Sequence, residues 1–369
     1  MRVLFNDLRP QWDIIKNSLM PELQDLFQNG PYILGKQVLK FEEEFAKICR
    51  TSYAIGVSNG TDALKLTIQA LDCHIPKEVP VLIPANSYIA DALAPMYLGH
   101  PVVLIDCDHY YNMSTYKLSE WIYNNNSPEC IIIPVHLYGQ PCDMSKISEI
   151  APKAVIIGDC SQAHGATIKG IPVGSFGTAS IFSLYPTKNL GAMGDAGIVV
   201  TNNEQMYKKI MALRNYGSYD RVDYHHMGWN NRLDEIQALI LRHKIPYLEQ
   251  WNNKRKEIAA IYNKHLSGYV DLPKIAPYAD GSVYHMYTIR SKKRDHLQRY
   301  LKEHEIDSLV RYPLPLHKVS LFKENRYCSY PNSDSFSSEI LCLPMHPFMT
   351  EEQVMFVIQC IKEVAHYEA

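Results

Sequence analysis

Two short segments of the sequence pair an acidic residue with a lysine. Residues 158–164 read Gly-Asp-Cys-Ser-Gln-Ala-His and residues 183–189 read Ser-Leu-Tyr-Pro-Thr-Lys-Asn, which places Asp159 and Lys188 29 positions apart, each after an apolar run. A lysine amine forms an imine with the aldehyde of pyridoxal phosphate (PLP), and a carboxylate keeps the pyridine nitrogen protonated, so that the ring accepts electrons. Alone, Asp159 also suits a helix N-cap and Lys188 a solvated loop. Together they indicate PLP chemistry.

A third segment, residues 58–64, reads Ser-Asn-Gly-Thr-Asp-Ala-Leu and opens an amphipathic stretch. A helix N-terminus presents free backbone N–H groups and the positive end of the helix dipole, so it binds phosphate well. Gly60 lets a phosphate approach the backbone, and Thr61 adds a hydroxyl donor. An ordinary N-cap turn is the alternative, and the phosphate hypothesis depends on the other two segments.

A sheet is needed to bring these segments together. Seven nearly continuous apolar runs are candidate strands, at residues 54–57, 79–84, 101–106, 131–136, 154–159, 179–184 and 197–201. Continuous runs of Val, Ile and Leu are typical of a mainly parallel sheet buried on both faces. Amphipathic segments such as 62–71 and 143–150 lie between the runs. The pattern therefore predicts an α/β fold with helices on both faces.

The pattern changes after about residue 203. Helices are predicted at 204–214 and at 232–263, the second broken or kinked at Pro246. Beyond residue 270, strand-like runs at 285–290 and 308–310 mix with helical segments at 295–303 and 351–367. We therefore expect a large α/β PLP-binding domain at residues 1–248 and a smaller α+β domain at residues 249–369.

The composition excludes several classes of protein. The 369 residues are 46% hydrophobic and 21% charged, with a formal net charge of −2, which argues against a nucleic-acid-binding surface. No apolar run approaches the ~20 residues that span a bilayer, and the first residues lack the apolar core of a signal peptide, so we expect a cytoplasmic protein with no membrane partner. No H-E-x-x-H motif occurs among the histidines, and no metal site is predicted. The nine cysteines include no C-x-x-C pair and are interpreted as reduced and mostly buried.

At this point the sequence resembles the DegT/DnrJ/StrS family of nucleotide-sugar aminotransferases, which have the fold-type I, aspartate aminotransferase-like architecture. The resemblance covers nearly the whole chain. Besides the three segments above, it rests on Gly-Pro-Tyr-Ile-Leu-Gly at 30–35, Phe-Glu-Glu-Glu-Phe at 41–45, Pro-Ala-Asn-Ser-Tyr-Ile-Ala at 84–90, His-Leu-Tyr-Gly-Gln at 136–140, Gly-Trp-Asn-Asn-Arg-Leu-Asp-Glu-Ile-Gln-Ala at 228–238, Tyr-Pro-Leu-Pro-Leu-His at 312–317 and Leu-Pro-Met-His-Pro at 343–347. One departure is Gly158, where the family commonly has an acidic residue; we expect little effect.

The resemblance implies a role for each matching residue. Lys188 would bind the cofactor and carry protons, and Asp159 would pair with the pyridine nitrogen. The remaining cofactor contacts would come from Gln162 at the ring oxygen, Gly60, Thr61 and Ser183 at the phosphate, and Tyr88 stacked on the ring. Asn230 would reach the phosphate bound by a neighbouring subunit, which implies a homodimer with shared sites. The alternatives are a turn residue for Asn230 and a core aromatic for Tyr88.

The lysine segment further indicates which sugar carbon is aminated. Tyr-Pro-Thr-Lys-Asn-Leu-Gly-Ala-x-Gly-Asp resembles family members that act at C3, whereas members that act at C4 tend to have a nearby His before the lysine. This implies conversion of a dTDP-3-keto-6-deoxyhexose to a 3-amino-3,6-dideoxyhexose, with L-glutamate as donor. Substrate contacts are expected from Tyr185, Arg221, Tyr312 and His317, with a solvated loop charge as the alternative for Arg221.

Three other activities remain open. A 4-keto-sugar aminotransferase would share the cofactor, and a sugar dehydratase of the same family would carry His in place of Lys188. A non-catalytic ligand-binding paralogue would have lost Lys188 or Asp159, and both are present. The sequence leaves the sugar configuration, gluco or galacto, and the nucleotide undecided.

Overall fold

The computed structural model describes residues 1–71, 75–126, 128–322 and 328–366. The helices are α1 (Arg9–Asn29), α2 (Lys36–Cys49), α3 (Gly60–Leu71), α4 (Ala90–Leu98), α5 (Thr115–Asn124), α6 (Met144–Ile150), α7 (Glu204–Leu213), α8 (Glu235–Lys244), α9 (Leu248–Leu266), α10 (Arg294–Glu303), α11 (Pro331–Glu339) and α12 (Glu351–His366). The strands are β1 (Tyr53–Val57), β2 (Val81–Pro84), β3 (Val102–Ile105), β4 (Ile131–Ile132), β5 (Val155–Asp159), β6 (Thr167–Ile168), β7 (Ile171–Pro172), β8 (Ala179–Ser183), β9 (Gly197–Thr201), β10 (Tyr287–Arg290) and β11 (Ile340–Leu343).

The seven candidate strands form one sheet in the order β1-β9-β8-β5-β4-β2-β3. Neighbouring strands from β8 to β3 run parallel, and only β9 is antiparallel to its neighbours β1 and β8. The predicted α/β class with a mainly parallel seven-stranded sheet is confirmed. The run at 131–136 was too long as a strand, because regular pairing covers only Ile131–Ile132 and the chain then turns at Leu137–Gly139.

Both faces of the sheet are buried, as the continuous apolar runs predicted. Along β9, Ile198 and Val200 pack into one hydrophobic cluster with α2, α5 and α6, whereas Val199 packs into another with α3, α4 and α7. Alternate side chains of a strand point to opposite faces, so both clusters use the same strand. No helix of the described residues is long and apolar enough to cross a membrane.

The predicted helix break at Pro246 is present. α8 ends at Lys244, a single 3₁₀ turn covers Ile245–Tyr247, and α9 begins at Leu248. A third hydrophobic cluster joins α9, α10, α12 and the two-stranded β10–β11 sheet. The segment 308–310 forms a single bridge, between Leu309 and Cys342, rather than a strand.

The C-terminal part of the chain also contributes to the core of the large sheet. Leu316, Phe336 and Cys342 pack in the cluster that holds α3 and α4, and Val3 from the N-terminal end packs in the cluster of α9 and α12. The predicted domain division at residue 248 falls at the start of α9 and stays a prediction.

The described cysteines form no disulfide and, apart from Cys328, are buried. One of the nine cysteines, Cys73, and the predicted helix end Tyr367 lie outside the described residues.

Candidate active site

The site lies where several strands end at one edge of the sheet. Asp159 ends β5 and pairs in parallel register with Ile181 of β8, which ends two residues later at Ser183. Ser183 in turn lies opposite Gly197, the partner of Val57 at the end of β1. The loop between β8 and β9, residues 184–196, carries Lys188 and is called the lysine loop here. Carboxyl ends of parallel strands are the usual ligand edge of an open α/β sheet.

Lys188 is half-buried on this loop, and its backbone N–H donates to the carbonyl of Tyr185 at 2.8 Å. Desolvation lowers the pKa of its ammonium to about 8, and the nearby Asp159 and Asp91 side chains partly oppose that effect. A lysine with such a pKa has a substantial neutral fraction near physiological pH, and a neutral amine is the nucleophilic form. Lys188 can therefore attack a carbonyl carbon.

Asp159 is buried, with 7% of its surface exposed. Its Oδ1 accepts the backbone N–H of Ser161 at 2.8 Å, and the Ser161 hydroxyl accepts the N–H of Ser183 at 3.0 Å. These bonds tie the ends of β5 and β8 together. The Asp159 carboxyl can also accept a hydrogen bond from the N–H of a bound ring.

Gln162, Tyr312 and Tyr88 form a connected wall beside Asp159. The Gln162 Oε1 accepts the backbone N–H of Tyr138 at 2.8 Å, and its Nε2 donates to the Tyr312 hydroxyl at 3.2 Å. The Tyr312 ring lies 5.5 Å from the ring of Tyr88, with the planes inclined by 31°. Tyr88 is 51% exposed, so it is not a core aromatic. Its ring is available to a planar ligand.

The start of α3 presents free backbone donors. Within the described chain, the backbone N–H groups of Gly60 and Thr61 have no acceptor. A Cβ on Gly60 would lie 2.8 Å from the Ser183 Cβ, so glycine allows the close approach of these two segments. The acidic Asp62 in the first turn is neutralised by Lys65 at 2.8 Å. The N-terminus of α3 thus stays available to an anion.

Other predicted residues lie apart from this cluster or on its surface. Tyr185 is on the lysine loop and 52% exposed. Arg221 and Asn230 are both exposed and lie in the segment between α7 and α8, where Arg221 lines a cavity of about 270 Å³ with Arg214 and Tyr219.

His317, by contrast, is only 2% exposed. Its Nε2 lies 2.9 Å from the Asp334 carboxylate, and its ring stacks on Tyr330 at 4.5 Å. None of its described contacts joins it to Lys188.

Four residues near the lysine were not predicted. Asp91 of α4 is 1% exposed and acts electrostatically on both Asp159 and Lys188. His164 is buried, and its pKa is lowered to about 3, first by desolvation and then by the Lys188 charge, so its ring is neutral. His164 was visible in the motif at 158–164, but its burial was not.

The other two residues anchor the lysine loop. The Asn189 amide donates to Asn252 at 2.8 Å and to the Val283 carbonyl at 3.0 Å, which fixes the loop next to Lys188. Lys244 donates to the same loop at the Gly191 carbonyl.

The sequence profile of the DegT/DnrJ/EryC1/StrS aminotransferase family matches residues 13–362. The chain belongs to this family. The aminotransferases of the family use PLP, and the predicted nucleotide-sugar aminotransferase family and cofactor are confirmed.

Characterised relatives match over almost their full lengths. The chain is 40% identical, over 98% of its length and 99% of the relative's, to the dTDP-3-amino-3,6-dideoxy-alpha-D-galactopyranose transaminase of Aneurinibacillus thermoaerophilus. It is 37% identical, over 98% of its length and 97% of the relative's, to the UDP-N-acetyl-3-dehydro-alpha-D-glucosamine 3-aminotransferase of Acidithiobacillus ferrooxidans. The crystal structure of DesV from S. venezuelae in complex with a ketimine intermediate superposes with a TM-score of 0.93 at 35% identity, covering 99% of this chain and 98% of that one.

The residues of the site fit PLP. A half-buried lysine with a lowered pKa, a buried carboxylate, an exposed tyrosine ring and two free N–H groups at a helix N-terminus match its aldehyde, its pyridine nitrogen, its ring and its phosphate. When bound, PLP supplies an aldehyde that condenses with amines and a ring that withdraws electrons from the reacting carbon. This protein is thus a PLP-dependent aminotransferase.

Proposed function

We propose that this aminotransferase converts a dTDP-3-keto-6-deoxyhexose to the corresponding dTDP-3-amino-3,6-dideoxyhexose, with L-glutamate as amino donor and 2-oxoglutarate as co-product. The lysine carries the proposal: Lys188 combines a lowered pKa with a neighbouring buried carboxylate, on a loop of the form that implies amination at C3. The two relatives named above are also aminotransferases for sugar C3, one named for a dTDP-sugar and the other for a UDP-sugar.

In this proposal each residue of the site has a defined task. Lys188 would bind the cofactor aldehyde and, once displaced by the donor, its Nζ would take the proton from the α-carbon of glutamate and deliver it to the former aldehyde carbon. Asp159 would accept a hydrogen bond from the pyridine N–H, and Gln162 would donate to the ring oxygen with its remaining amide hydrogen. Gly60, Thr61 and Ser183 would hold the phosphate at the N-terminus of α3. Positioned acid–base help of this kind contributes about 10²–10⁴-fold to a rate.

The test is to incubate the protein with PLP, L-glutamate and each candidate sugar in turn. The candidates are dTDP-3-keto-6-deoxyhexoses of gluco and galacto configuration, the dTDP-4-keto sugar and a UDP-linked 3-keto sugar. We expect a new amine at C3 of a dTDP-sugar, identified by mass and NMR, with one 2-oxoglutarate formed per amino sugar. Amination at C4, or loss of water without consumption of glutamate, would replace the proposal by one of the alternatives. No turnover of any sugar, together with ligand binding, would favour a non-catalytic paralogue.

The substrate contacts of Tyr185, Arg221, Tyr312 and His317 are part of the proposal. The exposed Tyr185 ring and the Tyr312 hydroxyl border the Lys188 site, whereas Arg221 supplies a guanidinium suited to a diphosphate. Arg221→Ala should raise KM for the nucleotide sugar more than tenfold and leave KM for glutamate unchanged. His317 is already bonded to Asp334, so we expect His317→Asn to lower stability more than sugar affinity.

We also propose a homodimer in which Asn230 serves the partner's cofactor. Asn230 is exposed, and the segment before it carries several exposed apolar side chains: Tyr216, Tyr219, Val222, Tyr224, Met227 and Trp229. Exposed apolar patches mark association surfaces.

The shared site is tested by mixing two inactive variants, Lys188→Ala and Asn230→Ala, under conditions of subunit exchange. If Asn230 acts across the interface, about a quarter of the sites become complete, because half of the random pairs are mixed and each has one intact site. No recovery despite a dimer on light scattering would place Asn230 in its own subunit's site. A cytoplasmic location completes the proposal and is checked by cell fractionation.

A further inference from the structure

Asp91 is a buried acid that the proposed function does not use. It lies in the first turn of α4, and its backbone N–H donates to the carbonyl of Tyr88 at 3.1 Å. Only 1% of its surface is exposed, and neither carboxyl oxygen has a donor within the described chain. Burying an ionised carboxylate without hydrogen-bond donors costs free energy, because the carboxylate loses its hydration. The protonated form of Asp91 is therefore favoured over the ionised form.

Among the described residues, the charged side chains that act most strongly on Asp91 both belong to the active site. They are Asp159 at the end of β5, which lies within hydrogen-bonding reach of the Asp91 carboxyl, and Lys188 on the lysine loop. The nearby Ser87 hydroxyl donates to the Pro84 carbonyl at 3.0 Å, and the phenol of Tyr312 lies near both carboxyl groups. Burial, followed by the charge of Asp159, raises the pKa of Asp91 well above its ordinary value, and the Ser87 hydroxyl and the Lys188 charge oppose this only in part.

Two carboxyl groups in contact share a proton, because ionising both places like charges side by side. The proton belongs on Asp91 for a local reason. Asp159 accepts a backbone hydrogen bond from the Ser161 N–H at 2.8 Å, the acceptor role of a carboxylate, whereas neither carboxyl oxygen of Asp91 accepts from a described N–H. With one proton between them, the contact becomes a hydrogen bond from the Asp91 carboxyl to the Asp159 carboxylate.

We propose that Asp91 is a positioning residue held in its protonated form, whose O–H donates to Asp159 and keeps that carboxylate ionised and oriented toward the pyridine nitrogen. The functional consequence rests on the proposed role of Asp159. The shared proton itself does not, since it depends only on the two side chains. Asp91 thus acts on the ring through Asp159.

The first experiment measures the shared proton on the full chain without PLP. Urea unfolding of the wild type and of Asp91→Asn, which keeps the shape and a donor but cannot ionise, is compared between pH 4 and pH 8. The pKa of Asp91 is raised in the folded state, so the stability from its proton is present below its unfolded value of 3.8 and lost as pH rises. The ratio of the two unfolding constants should therefore change by up to about tenfold per pH unit in favour of Asp91→Asn. A ratio independent of pH would overturn the proposal.

The second experiment measures the effect on the cofactor with a matched pair of variants. Asp91→Asn retains a donor toward Asp159, and Asp91→Leu has similar volume and none. We expect Asp91→Leu to weaken PLP binding about tenfold or more and to shift the pH midpoint of the cofactor's visible absorption, with Asp91→Asn near the wild type. Equal losses in the two variants would rule out the hydrogen bond. If Asp91→Leu does not fold, Asp91→Ala takes its place with the same expected outcome.

The two proposals can fail separately. Borohydride reduction of the loaded wild type should fix a pyridoxyl group on Lys188. Absence of that adduct would end the proposed function while leaving the pH dependence of unfolding as the measure of Asp91. An adduct with a pH-independent unfolding ratio would retain the function and remove the role of Asp91.

Discussion

The ammonium of Lys244 donates a 2.7 Å hydrogen bond to the carbonyl oxygen of Gly191, three residues beyond Lys188. Lys244 is 2% exposed, and burial lowers its pKa to about 8. On the same helix, α8, the side chain of Gln237 accepts the N–H of Met193 at 2.9 Å. The lysine loop is thus held by α8 at two points, and the position of the reactive amine depends on residues outside the loop that carries it.

Replacing Lys244 by Met should loosen that loop. The buried Gly191 carbonyl would lose its donor, which costs about 1–3 kcal/mol of unfolding free energy. We also expect weaker PLP binding, because the path of the chain next to Lys188 is less restricted. The matched control is Lys254→Met on α9, whose partner Glu257 is on an exposed face, and it should change stability by under about 1 kcal/mol. Equal effects of the two variants in urea unfolding would contradict a supporting role for Lys244.

Lys188→Ala should abolish turnover, with a loss of at least about 10²-fold, because no other described amine is placed to move the proton. The variant should still bind pyridoxamine phosphate, since the phosphate and ring contacts remain. Lys188→Arg is the control that keeps the positive charge but cannot form an imine. Steady-state assays of both variants, with circular dichroism as a check of folding, test this expectation. Normal turnover by either variant would disprove the assignment of Lys188.

The capture of PLP by the cofactor-free protein should depend on pH with a midpoint near 8. Desolvation lowers the pKa of Lys188 from its ordinary 10.5 to about 8, so the ammonium loses its proton as pH rises through 8. Only the neutral amine attacks the aldehyde, hence the capture rate should rise about tenfold per unit below the midpoint and level above it. Stopped-flow absorbance measures the rate. A midpoint above pH 10 would show that the amine is solvated.

Gly60→Ala should impair both folding and cofactor binding. Its new Cβ would meet the Ser183 Cβ at 2.8 Å and push α3 away from β8, at a cost of about 1–3 kcal/mol. Urea unfolding and a PLP titration measure the two effects. The double variant Gly60→Ala with Ser183→Gly removes the contacting atom, and it should recover most of the stability. If the double variant is as unstable as the single one, the close approach of these residues is not the cause.

The sheet could be predicted because strands buried on both faces have continuous apolar sequences, and all seven predicted runs contribute a strand to the sheet. Strand ends were less accurate. The run at 131–136 stays apolar after regular pairing stops. The backbone hydrogen bonds that continue there, such as Ile133 to Leu82 and His136 to Asp159, depend on the neighbouring strands β2 and β5. The hydrophobic pattern of a short segment carries no information about such long-range hydrogen bonds.

The chemical centre was predictable for a similar reason. Asp159 and Lys188 each follow a strand-like run, and their residue types restrict the chemistry. Asp91 and Lys244 could not be found in this way. An Asp in the first turn of a helix and a Lys in the last turn are common surface residues that complement the helix dipole. Both are buried here by tertiary packing, which a single sequence does not report.

The bend at Pro246 has a consequence for reactivity. Lys244 holds the lysine loop just before the bend, and Asn252 just after it accepts from Asn189 and donates to the His164 carbonyl, both at 2.8 Å. The angle between the two helices therefore sets the spacing of the two anchors at Asn189 and Gly191, which directly follow the nucleophile. Substitutions at this bend would shift the amine while leaving each helix intact, so the reactivity of Lys188 is also set by residues outside the lysine loop.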